Sequence, residues 1–306
     1  MNTLNTHIQN YLSFCKSQKC LDDKTLKAYS IDLQQFSLHS QTPDISQISI
    51  EALESYIAFL HQTYKPKTAK RKIASVKAFF HYLEYKDIIA INPFNKLHIK
   101  FREPVILPKT IPLHTVEFFL KTLYAQYANA ATPYQKEKTL RDIAIIELLF
   151  STGIRISELC SLKASDVNLL DNTILIFGKG AKERRLQICN DDVIHILSEY
   201  KSCFQDAIKI NNYFFVNRFG EPISDQAVRR MIKKYTTLAG IELHITPHMF
   251  RHTFATSLLE SDVDIRYIQE MLGHSSITIT EIYTHVAMDK QRDILRTKHP
   301  RRGFEV

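Results

Sequence analysis

The chain has 306 residues, of which 44% are hydrophobic and 10% aromatic, so it can bury the cores of two domains and is not a disordered chain. Its 40 Lys and Arg residues against 32 Asp and Glu residues give a net charge of +8, which favours a polyanionic partner such as nucleic acid or an anionic membrane surface. No apolar run approaches the roughly 18 residues that a membrane-spanning helix needs, and the polar N-terminus lacks the apolar core of a signal peptide.

Five cysteines are spread along the chain without a C-x-x-C pair or a Cys/His cluster at zinc spacing. Neither a disulfide framework nor a metal site is therefore indicated. A protein of the reducing cytoplasm fits this cysteine pattern best, and we expect no association with a membrane.

Residues 1–100 have the pattern of short amphipathic helices, of which the clearest cover 25–38, 50–63 and 68–85. This region carries 13 Lys and Arg residues against 8 Asp and Glu residues, so the positive charge is concentrated in the first third of the chain. In the last of these helices the basic residues lie opposite an apolar stripe, where they can meet DNA phosphates. The candidates for DNA contact are Lys67, Lys70, Arg71 and Lys77. A solvated, lysine-rich helix face is the alternative interpretation.

Three prolines between Phe101 and Pro112 indicate a linker, so we predict a domain over 1–100, a linker over 101–112 and a second domain over 113–306. In the second domain, a buried helix is predicted to end at Gly153. Two β-rich runs then flank a Gly-Lys-Gly turn, which is the pattern of a β-hairpin. The sequence therefore predicts a mainly α fold with a small antiparallel β-sheet.

Cleavage of a phosphodiester without a metal needs cations for the non-bridging oxygens, a proton donor for the leaving oxygen and a nucleophile. Arg155 follows the helix that ends at Gly153, and its guanidinium can bind two phosphate oxygens at once. A surface ion pair is the alternative for Arg155. Lys179 lies between two glycines at the predicted hairpin tip, where its ammonium suits a proton donor. An ordinary turn lysine is the alternative there.

A further helix is predicted to begin after Thr246, whose side chain can cap it. His248 and Arg251, three residues apart, share a face near the start of this helix, where free N–H groups and the helix dipole favour a phosphate. The adjacent His252 is expected to point elsewhere.

The segment DIRYIQEMLGHSSITITEIYTHV (264–286) predicts a helix that ends at Gly273, followed by His274 and a second helix with Tyr283 near its far end. Judged alone, Tyr283 has the properties of an interfacial core tyrosine. His274 alone is a histidine with a satisfied hydrogen bond or a cation at a helix end.

Taken together, six residues in this order resemble the catalytic signature of the tyrosine site-specific recombinases, also called the phage integrase family. They are Arg155, Lys179, His248, Arg251, His274 and Tyr283. TGIRISEL (152–159) resembles the first arginine box of that family, GKGAKER (178–184) its lysine hairpin, and HMFRHTFAT, LGHSSITIT and IYTHV its second box. TLKAYSIDLQQF (25–36) is similar to the first helix of the core-binding domain in Xer-type members.

The resemblance implies a four-helix, SAM-like core-binding domain and a mostly helical catalytic domain that close on DNA as a C-shaped clamp. It implies that Tyr283 attacks the phosphodiester to form a 3′-phosphotyrosine, while Arg155 and Arg251 hold the non-bridging oxygens. Lys179 would protonate the leaving oxygen, His248 would act as a general base or a hydrogen-bond donor, and His274 would donate to the phosphate. No metal or other cofactor is implied, because the phosphotyrosine keeps the bond energy for religation.

Members of the family act as four protomers on two duplexes and pass through a Holliday junction. The implied partner is therefore double-stranded DNA with a specific recombination site. On it the chain would form a homotetramer, or a heterotetramer with a second recombinase. The implied location is the cytoplasm, in association with the nucleoid. The tail 287–302 is a candidate for contact between protomers, with a solvated basic tail as the alternative. A simple Xer-like recombinase is preferred, because only about 100 residues precede the linker. Chromosome or plasmid dimer resolution and mobile-element integration or excision both stay open, because 124–140 looks longer than in compact Xer proteins.

Two other functions stay open on the sequence alone. A type IB topoisomerase uses a similar set of Arg, Lys, His and Tyr residues to relax one duplex, and a non-catalytic DNA-binding protein could retain the same fold. The Xer-like N-terminal domain and the short spacing between His274 and Tyr283 favour recombination over the first. The complete set of six residues argues against the second.

Overall fold

The apolar residues that the sequence places on helix faces are buried in two large cores, one in each part of the chain. The computed structural model describes residues 3–42, 44–99, 101, 108–178 and 183–273. The chain divides into two compact units, Met1–Val105 and Ile106–Val306. Across the described residues, no helix has both the length and the apolar character required to cross a membrane.

The N-terminal unit contains four α-helices within its described residues. They are α1 (Leu4–Ser17), α2 (Asp23–Ser40), α3 (Ile50–Thr63) and α4 (Pro66–Tyr85), with 3-10 turns at Ile45–Gln47 and Pro93–Lys96. The side chains of Thr3, Asp22 and Ser49 accept hydrogen bonds from the first turns of α1, α2 and α3, which explains where these helices begin. Pro66 occupies the first position of α4, where its missing N–H has no partner to lose.

Aromatic side chains join these helices. Tyr11 of α1 packs against Phe79 and Tyr82 of α4, with ring centroids 5.5 Å and 5.1 Å away. Phe36 of α2 packs edge-on against Tyr56 of α3, with centroids 5.1 Å apart. Aromatic pairs of this geometry add to the burial of apolar surface, so the four helices form one core.

A buried carboxylate links α2 to α4. Asp32 is fully buried, and its Oδ1 lies 3.0 Å from the Lys72 ammonium, while its Oδ2 accepts a hydrogen bond of 2.9 Å from the Ser75 hydroxyl. The same carboxylate forms an ion pair with Arg71. A charge at such a depth is tolerated only when it is paired, so this cluster fixes how α2 and α4 pack.

The second unit is mostly helical, with three short strands among its described residues. In chain order these are α5 (Leu113–Ala128), α6 (Pro133–Thr152), α7 (Ile156–Ser161), β1 (Val167–Asn168), β2 (Thr173–Phe177), β3 (Glu183–Gln187), α8 (Asp191–Cys203), α9 (Gln205–Asn211), α10 (Asp225–Leu238), α11 (Pro247–Glu260) and α12 (Ile265–Leu272), with a 3-10 turn at Ala164–Asp166. The strands form an antiparallel sheet in the order β1-β2-β3. The mainly α fold with a small antiparallel sheet is confirmed.

The predicted buried helix is the second half of α6, which forms the centre of this core. It ends at Gly153, whose φ of +62° is a left-handed conformation that side chains rarely adopt. A Cβ atom at this position would lie 2.5 Å from Cδ1 of Phe254 in α11. Glycine is therefore required both for the turn and for the close approach of α11, and the predicted end of the helix is confirmed.

The predicted hairpin is formed by β2 and β3. Ile174 pairs with Leu186, and Ile176 pairs with Arg184. Ile174, Ile176 and Leu186 are buried, so one face of the hairpin packs on the core. The predicted tip with Lys179 lies outside the described residues.

Candidate active site

Arg155 lies between α6 and α7 and forms the N-terminal cap of α7. Its backbone N–H donates to Oε2 of Glu158 at 2.8 Å, and its Nη1 donates to Oε1 of the same carboxylate at 2.7 Å. One third of the Arg155 side chain is exposed. Arg155 therefore does form an ion pair, as in the alternative interpretation, but its partner is a buried carboxylate and the Arg155 side chain stays partly exposed.

Arg251 lies in the first half of α11, and it is only 4% exposed. Its Nη1 donates to the carbonyl of Gly153 at 2.8 Å, and its Nη2 donates to the carbonyl of Leu272 at 2.6 Å. Thr246 occupies the cap position of α11 as predicted, but its side chain makes no capping hydrogen bond. The predicted Thr246 cap is therefore wrong in this detail, and the proline at the first helical position marks the start of α11 instead.

The two arginines meet at the C-terminal end of α12. Arg155 approaches the carbonyl of Leu272 at 3.4 Å and that of Gly273 at 3.3 Å, and Arg251 donates to the same Leu272 carbonyl. Backbone carbonyls at a helix C-terminus carry partial negative charge and attract cations. Two guanidinium groups, one from the start of α7 and one from α11, are thus held side by side, in an arrangement that suits a phosphate.

His248 lies on the same cleft, one turn before Arg251 in α11. Burial, reinforced by the charges of Arg229, Arg251 and Arg155, lowers the pKa of His248 below its usual range. The imidazole is therefore mostly neutral near neutral pH, and a neutral imidazole has one nitrogen that can accept a proton.

The expectation that His252 points elsewhere is wrong. His252 lines the same cleft, with its ring centroid 6.5 Å from that of His248. Residues four apart on a helix lie on one face, so His252 lies on the same face as His248 although it directly follows Arg251. Burial lowers the pKa of His252 to about 4, and electrostatic interactions with His248 and Arg251 contribute to the shift.

Glu158 and Arg184 also belong to the site, although the sequence patterns did not predict them. Arg184 of β3 donates from Nη1 and Nη2 to the two oxygens of Glu158 at 3.1 Å and 2.7 Å, and from Nε to the carbonyl of Met271 at 2.8 Å. Burial alone would raise the pKa of Glu158, but the hydrogen bonds and charge of Arg184, aided by Arg155, lower it below its usual range. Glu158 is therefore an ionised, buried carboxylate between two guanidinium groups.

The cleft is lined by residues from α6, α7, the β2–β3 hairpin, α11 and α12. Gly178 and Gly273 both lie on its wall, and the chain continues from them directly to Lys179 and His274. Lys179, His274 and Tyr283 lie outside the described residues, as does the tail 287–302. Tyr267, with 63% of its surface exposed, is the tyrosine on this wall within the part of the chain that the structure describes.

Two exposed helix faces carry the positive charge expected of a DNA-binding surface. On α4, Lys67, Lys70 and Lys77 are exposed, whereas Arg71 is 47% exposed at its side chain and paired with Asp32. The second face lies on α10 and was not singled out in the sequence. Its exposed cations are Arg229, Arg230, Lys233 and Lys234. In the α10 sequence QAVRRMIKKYT, pairs of cations spaced four apart are the signal that could have identified this face.

Comparison with known proteins shows what the chain is similar to. Residues 120–290 match the Phage integrase family, and residues 8–86 match the Phage integrase, N-terminal SAM-like domain. A tyrosine recombinase of Agathobacter rectalis is 66% identical over 304 residues, covering 99% of this chain and 99% of that protein. The tyrosine recombinase XerD of Listeria monocytogenes is 33% identical over 307 residues, covering 97% of this chain and 100% of that protein. The crystal structure of the XerH site-specific recombinase bound to palindromic difH substrate, a post-cleavage complex, has the same fold. Its TM-score is 0.71 at 22% identity, covering 94% of this chain and 83% of that one.

Proposed function

The chain belongs to the phage integrase family, and from this premise we propose that it is a site-specific recombinase that cuts and rejoins DNA strands through a 3′-phosphotyrosine. The observation that carries the proposal is the meeting of Arg155 and Arg251 at one carbonyl oxygen, in a cleft that also holds His248. Two guanidinium groups can neutralise both non-bridging oxygens of a phosphate while charge builds in the transition state.

In the proposed reaction, the hydroxyl oxygen of Tyr283 attacks the phosphorus and the bond to the 5′ oxygen breaks. The tyrosine proton passes to a base, for which the neutral His248 is the candidate, and Lys179 gives a proton to the departing 5′ oxygen. One phosphoester bond forms as another breaks, so a 5′ hydroxyl from a second strand can reverse the step without an energy source. The cations of the site supply the charge neutralisation, and we therefore propose that cleavage does not depend on a metal.

The double-stranded DNA partner would lie against the exposed basic faces of α4 and α10. The cations of α10 are close enough to the cleft for the charge of Arg229 to lower the pKa of His248, whose burial is the larger cause. Contacts of Lys and Arg with phosphates fix the position of a protein on DNA and release counterions. We propose that Lys67, Lys70 and Lys77 on α4 and the α10 cations share this role, and that Arg71 contributes less because Asp32 already holds it.

The proposed assembly is a tetramer on two DNA sites that passes through a Holliday junction, with the tail 287–302 in contact between protomers. The tetramer consists of this chain alone or includes a second recombinase. The XerH structure contains its DNA substrate, which supports DNA as the partner here.

A covalent-trapping experiment tests the chemistry. The protein first selects its site from a pool of randomised duplexes, and the site is rebuilt with a nick so that the cleaved fragment diffuses away. We expect an adduct that survives denaturant, that forms in excess EDTA, and that is lost in Tyr283→Phe. Tyr267→Phe is the matched control and should still form it. An adduct that persists in Tyr283→Phe would remove Tyr283 from the role of nucleophile.

A plasmid assay separates recombination from topoisomerase activity. A supercoiled plasmid with two copies of the selected site should give deletion or inversion products, and a plasmid without the site should stay supercoiled. Efficient relaxation of both plasmids without recombinant products would favour the type IB topoisomerase. Binding without any adduct would favour the non-catalytic DNA-binding protein.

A further inference from the structure

Arg184 of the hairpin lines the cleft, but little of its side chain is exposed there. Its side chain is 9% exposed, whereas that of Arg155 is 33% exposed. Both guanidinium groups bind the same carboxylate, Glu158, whose side chain is 5% exposed. Arg155 can therefore reach a ligand in the cleft, and Arg184 is placed to act on Arg155 through Glu158.

The side chains of Arg184 and Arg155 share the Glu158 carboxylate unequally. Oε1 of Glu158 accepts from Nη1 of both arginines, and Oε2 accepts from Nη2 of Arg184 and from the backbone N–H of Arg155. A carboxylate has about four acceptor positions, so these bonds saturate it. Arg184 uses both oxygens in a parallel fork, and the side chain of Arg155 is left with one bond to Glu158.

The charges show why this division matters. Glu158 is an anion beside a site that must attract an anion, and a fork between Arg155 and Glu158 would turn the exposed guanidinium away from the cleft. Arg184 neutralises Glu158 and occupies the geometry that such a fork requires. The remaining donors of Arg155 then lie at the Leu272 and Gly273 carbonyls, beside Arg251.

Arg184 also ties the hairpin to the end of α12, through its bond to the Met271 carbonyl. Gly273 has a φ of +64°, and a Cβ atom there would lie 2.9 Å from Nη1 of Arg184. The turn therefore favours glycine, and any larger residue there would displace the Arg184 guanidinium. As a result, β3, the start of α7 and the end of α12 are all held by one side chain.

We propose that Arg184 is a positioning residue for DNA cleavage: it occupies Glu158 in a bidentate pair and so keeps the guanidinium of Arg155 presented to the phosphate. This inference rests on the proposed function and deepens it. In this proposal Arg184 acts through Glu158 and not by contact with the DNA. Its contribution depends on the presence of the Glu158 charge, which distinguishes it from an arginine that only stabilises the fold.

The test is a double-mutant cycle on the nicked duplex of the selected site, with single-turnover cleavage and DNA affinity measured for each variant. Arg184→Gln should slow cleavage by about 100-fold, the cost of misplacing a catalytic group by about an ångström, with little change in affinity. Adding Glu158→Gln should restore most of the lost rate, because no anion then draws Arg155 away. The cleavage rate of Arg184→Lys should lie between those of Arg184→Gln and the wild type, since lysine keeps the charge and loses the fork. Arg218→Gln, an exposed arginine outside the cleft, is the matched control for loss of charge.

The melting temperature of each variant is measured, and cleavage rates are compared only at temperatures below it. A slower rate then reflects the position of Arg155 and not unfolding. A crystal structure of Arg184→Gln should show Arg155 and Glu158 in a bidentate pair, and this readout does not depend on cleavage. Wild-type rates in Arg184→Gln, no rescue by Glu158→Gln, or an unchanged Arg155 in the crystal would each overturn the proposal. If the wild-type protein forms no adduct at all, the proposed function fails instead, and the position of Arg155 in the crystal still decides the geometric part.

Discussion

Substitution of Arg251 by lysine separates the fork of the guanidinium from its charge. Arg251 bridges two carbonyls on different parts of the chain, Gly153 after α6 and Leu272 at the end of α12. A lysine ammonium lacks the planar fork that reaches both carbonyls, so we expect it to keep only one of these bonds. A hydrogen bond from a charged group contributes about 1.5–3 kcal/mol, so Arg251→Lys should destabilise the second unit by roughly that amount. For a unit of this size, the melting temperature should fall by roughly 3–12 °C.

The effect on cleavage should be larger than the effect on stability. A lysine lacks the planar fork that binds two non-bridging oxygens in a fixed geometry, and removal of one such transition-state contact slows related reactions by about 100- to 1000-fold. Single-turnover cleavage of the nicked duplex, measured well below the melting temperature, should fall by this factor while DNA affinity stays within a few fold. Arg218→Lys is the matched control. A near-normal cleavage rate in folded Arg251→Lys would refute the phosphate-binding role of Arg251.

Three further predictions follow from other parts of the molecule. Burial raises the pKa of Glu147, so its ionisation opposes folding: the protonated form is favoured at low pH, and stability is lost as pH rises through the raised pKa. Glu147→Gln should therefore raise the melting temperature at pH 8 and leave it nearly unchanged at pH 4, and equal effects at both would contradict this. Asp32→Asn should destabilise the N-terminal unit by about 3–5 kcal/mol in urea unfolding, because it leaves the buried Lys72 without its carboxylate; a change below 1 kcal/mol would argue against the pair. On α10, Arg230→Gln with Lys233→Gln should reduce the slope of log affinity against log salt by about 2, and an unchanged slope would remove this face from the DNA interface.

Helix periodicity made most of the N-terminal unit predictable. The predicted helix at 50–63 has the bounds of α3, because Ser49 caps its start and the apolar positions recur at helical spacing. The end of α6 followed from Gly153, since few other residues adopt its left-handed conformation. These features depend on neighbours within a few residues, which the sequence displays directly.

Contacts between residues far apart in the sequence were harder to predict. Arg184 stands in a charged run that looks like an exposed hairpin, yet it lies two residues before the buried Leu186 and opposite Ile176, so it shares their inward face. That alternation was an available signal, as was the spacing of Glu158 three residues after Arg155. In contrast, nothing local indicates that Arg71 pairs with Asp32, which lies 39 residues earlier. Such pairs depend on how helices pack, and the helical wheel of α4 alone cannot show them.

Identification of the nucleophile tests the central claim most directly. The covalent adduct from the nicked duplex is digested with protease and nuclease, and the modified peptide is sequenced by mass spectrometry, with the DNA labelled at either end. We predict that Tyr283 carries the 3′ phosphate of the cleaved strand and that the other fragment ends in a 5′ hydroxyl. A 3′ phosphate on Tyr267, or a linkage to the 5′ end of the strand, would contradict the account.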